Sequence, residues 1–134
     1  MVTPEVERRL VDAAIEMRQR AYAPYSAYRV GAAVFAGDNY PLFVGCNVEN
    51  ASYGLTVCAE RNAVAAMIGG GASQVLAIAV ATEDGASPCG ACRQVLAEFG
   101  QQAIVLRVAT ASGRIVHRHT MAELLPDCFR SHEQ

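Results

Sequence analysis

Between Pro4 and about Ala21 the apolar residues Val6, Leu10, Ala13, Ala14 and Met17 return at helical spacing among Glu, Arg and Gln. This predicts an amphipathic helix entered through Thr3-Pro4 and stopped by Pro24. Tyr28 to Phe35 and Leu42 to Val48 are β-prone and joined by the turn sequence Gly37-Asp38-Asn39, so they read as a hairpin. Gly31 and Ala32 leave the first strand almost bare, which predicts that another element packs close there. Cys58 to Ile68 is Ala-rich and helical, and Gly69-Gly70-Gly71 ends it. Val75 to Ala81 and Ala103 to Val108 are continuous apolar runs, the pattern of strands covered on both faces. Between them Cys89 to Phe99 reads as a helix entered at Pro88. Arg114 to His119 has the character of an edge strand, and Met121 to Leu125 of a short helix or turn before Pro126. The order helix, hairpin, helix, strand, helix, strand predicts an α/β fold: a three-layer α-β-α sandwich whose mixed five-stranded sheet carries helices on both faces.

A chain of 134 residues fits one domain, spanning 1–134, and can bury a core without disulfides. Its 52% hydrophobic and 18% charged residues exceed the apolar share of an ordinary monomer surface, which points to subunit contacts or to a compact apolar monomer. A net charge of −2 leaves no footprint for a phosphate backbone, so a polymeric nucleic acid is not an expected partner. Met1-Val-Thr-Pro-Glu leads into a charged helix without the apolar core of a signal peptide. No run approaches a membrane span, and a cytoplasmic protein with no membrane partner is expected. There, five cysteines are better read as metal ligands or buried thiols than as a disulfide framework.

Three of those cysteines fall in two motifs, Cys58-Ala59-Glu60 and Pro88-Cys89-Gly90-Ala91-Cys92. Cys89 and Cys92 are neighbours on the first turn of a helix and can share one ion, and Cys58 also opens a helix. Two helix N-termini would then favour thiolate over thiol. A structural zinc site is closed by four protein ligands, whereas a catalytic one uses three and leaves a position to water. Glu60 stands beside the set as a carboxylate able to take and return a proton. Cys58 must occupy the cap position for both side chains to reach one point beyond the helix end. Three thiolates on Zn²⁺ carry a formal −1 charge, which Arg61 can offset by donating to a ligand sulfur; the alternative is a solvent-facing arginine. A structural zinc clip or three unrelated thiols are the competing readings of the cysteines. Cys46 points away from Asn47 and is not expected to be a ligand. His117 and His119 share a strand face and His132 lies in a frayed tail, so no second metal site is expected.

The two motifs follow the pattern of zinc deaminases, a Cys or His ligand before a catalytic Glu and then Pro-Cys-x-x-Cys. More closely, the chain resembles the small homotetrameric cytidine deaminases. The likeness runs through Ala23-Pro-Tyr-Ser, Val30-Gly-Ala-Ala, Gly45-Cys-Asn-Val-Glu-Asn-Ala-Ser-Tyr-Gly-Leu-Thr, Cys58-Ala-Glu-Arg, Ser87-Pro-Cys-Gly-Ala-Cys-Arg-Gln-Val-Leu and Leu124-Leu-Pro-Asp-Cys-Phe129, nearly the whole chain. It implies one Zn²⁺ per subunit on Cys58, Cys89 and Cys92. It further implies that zinc hydroxide attacks C4 of free cytidine or 2′-deoxycytidine while Glu60 shuttles protons, giving uridine or 2′-deoxyuridine and ammonia in pyrimidine salvage.

By the same resemblance Asn47 and Glu49, read as alternating on one strand face, hold the ribose 3′-hydroxyl; spacing alone leaves a polar strand end equally open. Backbone groups near Ala59, Ser87 and Cys89 are implied to read the pyrimidine edge. Phe129 and Tyr53 resemble aromatics lent to a neighbouring subunit's site, and Tyr25 one that lies near the interface by Arg61. Tyr28 departs from the phenylalanine usual against the base, and its added hydroxyl needs a partner if buried. Cys128 replaces a small apolar residue and reads as a buried thiol. A blasticidin-type antibiotic deaminase is the nearest rival in chemistry, and a non-catalytic zinc-stabilised assembly module the rival from another class.

Overall fold

The computed structural model describes residues 1–131; His132, placed by the sequence in a frayed tail, lies outside them. Thr3 caps helix α1 (Pro4–Arg18), its hydroxyl accepting from the Val6 amide at 3.2 Å, and Pro4 occupies the first turn, where its missing N–H costs nothing. The helix ends at Arg18, short of both Ala21 and Pro24. The amides of Gln19, Arg20 and Ala21 tighten into bonds three residues back, and Tyr22 leaves to pair with the chain around Val48. Its amide donates to the Asn47 carbonyl at 3.0 Å, and its own carbonyl accepts from Glu49 at 2.9 Å.

Strands β1 (Gly31–Phe35), β2 (Phe43–Cys46), β3 (Ala77–Thr82), β4 (Ile104–Ala109) and β5 (Arg114–Thr120) form one sheet in the order β2-β1-β3-β4-β5. Only β3 and β4 pair in parallel, joined through helix α3 (Gly90–Phe99), so the sheet is mixed as expected. Alternation along each strand divides the core. Ala33, Phe35, Ala79, Leu106 and Val108 pack against Leu10 and Ala14 of α1. Ala32, Val34, Ile78, Val80 and Val105 face the other way, onto Ala63 and Met67 of helix α2 (Ala59–Gly69) and Leu96 of α3. Three layers result.

Two glycines set how closely the layers approach. A Cβ on Gly31 would stand 2.0 Å from the Ala14 carbonyl oxygen, so α1 is the element whose approach the bare strand foretold. On the opposite face a Cβ on Gly45 would stand 2.5 Å from the Ala63 amide of α2. α2 closes through Gly70, and Gly71 takes φ +92°, a conformation that side chains resist.

Both hairpin strands are shorter than their β-prone stretches. β1 starts at Gly31 because the Asn47 side chain takes the Tyr28 carbonyl and the Val30 amide, each at 2.9 Å. β2 stops at Cys46 because Val48 bridges both Tyr22 and Val57. Asn47 and Glu49 therefore do not alternate on a regular strand face. β3 begins at Ala77, since the Val75 amide turns aside to the Phe99 carbonyl at 2.9 Å. β5 forms the outer edge with Arg114, His117 and Arg118 exposed, and Thr120 closes a capping box with Glu123 on the short helix α4 (Met121–Leu124).

Candidate active site

Cys58 is the N-cap of α2 and Cys89 the N-cap of α3, each with extended backbone and a side chain not used in capping. Their carbonyls open the helices, accepting from Asn62 at 3.1 Å and Arg93 at 3.0 Å, which leaves both thiols free to point beyond the helix ends. Cys92, fully buried, completes the group from the first turn of α3. The three sulfurs lie within 4.8 Å of one another, and Cys58 Sγ and Cys89 Sγ are 3.9 Å apart. Tetrahedral bonding to one zinc ion, with Zn–S of about 2.3 Å, places sulfurs about 3.8 Å apart, so the donor set and its spacing fit that metal. Between the sulfurs alone a proton is shared unevenly. Contact with Cys92 lowers Cys58 to about 5, and the same contact pushes the Cys92 thiol up.

Arg61 supplies positive charge to this group, Nη2 donating to Cys58 Sγ at 3.5 Å. The contact raises its guanidinium further above its usual range, so it stays charged, and its Nε is buried with no other partner. The half-buried arginine thus directs its guanidinium toward the Cys58 sulfur. Glu60 is 4% exposed, and burial pushes its carboxyl up to about 6. A carboxyl at that level both accepts and returns protons near neutral pH.

Glu60 and Cys58 stand in the wall of a cavity of ≈ 280 Å³ that opens between the loop before β1, the end of β3 and the starts of α2 and α3. Tyr28, Asn47, Glu49, Ala59, Ser87 and Cys89 also line it. A family described as the cytidine and deoxycytidylate deaminase zinc-binding region matches residues 4–108, the stretch that contains all of these residues.

The chain belongs to that deaminase family.

Among curated relatives it is 42% identical over 127 residues to a cytidine deaminase of Sporosarcina psychrophila, covering 93% of this chain and 91% of the relative. It is 43% identical over 126 residues to one of Halalkalibacterium halodurans, covering 92% and 94%. The crystal structure of a cytidine deaminase from Burkholderia pseudomallei superposes with a TM-score of 0.83 at 43% identity, over 90% of this chain and 97% of that one. Zinc is accordingly the cofactor of this deaminase fold, and the cysteine group can hold it.

The cavity gathers the candidate site residues unequally. Asn47 is 7% exposed, and its amide is spent on the Tyr28 and Val30 backbone. Glu49 accepts from the Tyr25 amide at 2.9 Å, the Ser26 amide at 3.1 Å and the Ser26 hydroxyl, contacts that lower its carboxyl, the hydroxyl first. Both residues thus hold the loop before β1, and the Glu49 carboxylate keeps a free lone pair for a sugar hydroxyl. The Ser87 hydroxyl accepts from Arg93 at 2.6 Å.

Tyr53 is 74% and Phe129 79% exposed, and neither lines the cavity. Tyr53 sits on a 3₁₀ turn (Tyr53–Leu55) with its ring edge-on to Tyr25 at 5.9 Å. Phe129 is tied to the body by its carbonyl, which accepts from Gln94 at 3.1 Å. Ser26 and Thr82 also belong to the wall and were not singled out in the sequence. For Thr82 a signal was present, a hydroxyl closing an otherwise apolar run.

If Arg61 serves the sulfurs, Arg61→Ala keeps most of its zinc while kcat falls roughly 10- to 100-fold. Metal analysis beside steady-state kinetics checks both, and an unchanged kcat would remove the role.

Proposed function

We propose that the chain catalyses hydrolytic deamination of free cytidine and 2′-deoxycytidine to uridine and 2′-deoxyuridine with release of ammonia. The reading places it in cytoplasmic pyrimidine salvage, as one catalytic domain per subunit of a homotetramer. The observation that carries it is the group of three thiol ligands, two of which, Cys58 and Cys89, share the wall of a cavity of ≈ 280 Å³ with the buried carboxyl of Glu60, while Cys92 closes the group from the buried side. Zinc on Cys58, Cys89 and Cys92 supplies the Lewis acidity that makes water a nucleophile near neutral pH. Arg61 tempers the negative charge of the sulfurs. Glu60 takes a proton from the attacking water, delivers it to N3 of the ring, and then conveys the second proton to the amine, so that ammonia departs and C4 becomes a carbonyl. In this reading Glu49 takes the ribose hydroxyl, with Asn47 holding the loop beside it, and Ala59 and Ser87 meet the pyrimidine edge; all four line the cavity. The protruding Phe129 and Tyr53 suit service to a neighbouring subunit, as the tetramer reading requires, with Tyr25 beside Tyr53.

Among the described residues no helix is long and apolar enough to cross a membrane. A non-catalytic zinc module has no need of a buried acid beside its ligands, and a blasticidin-type enzyme has no need of a ribose motif. Purified protein with verified zinc is expected to convert cytidine to uridine, followed by the fall in cytidine absorbance and by ammonia release. Absence of turnover would overturn the reading and direct the assay to cytosine-bearing antibiotics.

A further inference from the structure

One hydrogen bond ties the loop before β1, which lines the cavity, to the loop that follows β3. The Tyr28 hydroxyl donates to Asp84 Oδ1 at 2.7 Å, joining residues 56 apart in the chain. Tyr28 belongs to the loop before β1, on the Glu49 side of the cavity, where its amide donates to Ser26 Oγ at 3.0 Å. Asp84 belongs to the loop from β3 to α3, on the Ser87 and Cys89 side. The same Oδ1 accepts from the Thr82 hydroxyl at 3.2 Å, whose oxygen in turn accepts from the Gly85 and Ala86 amides at 2.8 and 2.9 Å. Arg107 fixes the loop from behind, Nε donating to the Gly85 carbonyl at 2.8 Å. Asp84 itself does not line the cavity, but Tyr28, Thr82 and Ala86 do.

We infer that Asp84 is a positioning residue: by holding the Tyr28 hydroxyl it fixes the aromatic wall against the β3–α3 loop and so sets how tightly the pyrimidine nucleoside is held. This rests on the deaminase reading above. The hydroxyl that distinguishes tyrosine from phenylalanine is drawn sideways onto a carboxylate, so the ring keeps an apolar face for the base. A free ring on a loop loses rotamer freedom when substrate binds, and a tethered one has lost it beforehand. Burial raises the Tyr28 phenol above its ordinary value; Thr82 opposes the rise, and Asp84 adds to it through its hydrogen bond and its charge.

The test uses zinc-loaded Asp84→Ala, Asp84→Asn, Tyr28→Phe and the double variant Tyr28→Phe/Asp84→Ala. Asp84→Ala and Tyr28→Phe should each raise KM for cytidine about 3- to 10-fold, with kcat within about twofold. The double variant should match either single one, and Asp84→Asn, which keeps an acceptor, should fall between Asp84→Ala and wild type. Alkaline titration of phenolate absorbance, with Tyr28→Phe subtracted to isolate Tyr28, should show the phenol titrating at lower pH in Asp84→Ala. Wild-type turnover with unchanged KM in the variants, or additive effects in the double variant, overturns the inference and leaves the deaminase reading standing. Absence of wild-type turnover rejects that reading instead, and an unmoved phenol titration then rejects the tether as well.

Discussion

Glu60→Gln should lower kcat on cytidine by about 10²- to 10⁴-fold, the usual span for a lost general acid–base group, while the protein keeps one zinc per subunit. Glutamine preserves the volume of a side chain that is only 4% exposed, so the core beneath α2 has no cavity to absorb. It can accept a hydrogen bond at the same place but cannot take the proton from water or carry it to the ring nitrogen and the leaving amine. KM should change little, since the loss falls on the chemical step and not on uniform binding. Burial that raises the carboxyl to about 6 also makes the neutral amide an easy replacement. The pair of measurements is single-turnover kinetics and metal analysis on one preparation. Full activity in a zinc-loaded Glu60→Gln protein would remove the proton shuttle from this site.

Cys92→Ser should cost both metal and activity. Cys92 is the fully buried member of the trio, and a serine hydroxyl there is a hard, weakly acidic donor in place of a soft thiolate. Zinc content should drop well below one per subunit, and activity should fall on the order of 10³-fold, as expected when several kcal/mol of Lewis-acid stabilisation are lost. Removing the metal from wild-type protein with a chelator should produce the same loss, reversible on adding zinc. In Cys92→Ser the added zinc should restore little. A variant that retains stoichiometric zinc and wild-type turnover would show that two cysteines suffice.

The parts of this site written in adjacent residues were legible before any coordinates. Cys58-Ala59-Glu60 and Cys89-Gly90-Ala91-Cys92 each span less than two turns, and their positions follow from helix starts that Pro88 and the Ala-rich run announce. The close approach at Gly31 was legible for the same local reason. What escaped depends on partners distant in sequence. α1 ends early because Tyr22 pairs with Val48, and β1 starts late because Asn47, seventeen and nineteen residues downstream, takes the backbone groups of Val30 and Tyr28. Asn47 and Glu49 looked like two positions on a strand because alternation is the default of any β-prone run, and nothing nearby reveals that Val48 bridges two partners. The Tyr28 hydroxyl raised a question of partner that only the fold could answer with Asp84.

The outer strand β5 bears on behaviour far from the site. Its free edge exposes backbone donors and acceptors to which another chain could add, the usual beginning of edge-to-edge aggregation. Arg114, His117 and Arg118 are exposed along that strand, and Arg118 pairs with Glu7 of α1. A second copy docking edge to edge would bring the arginines of the two strands together and strip their water, which opposes such pairing. Replacing Arg114 and Arg118 with valine or threonine would strengthen local β propensity at the expense of a monodisperse preparation.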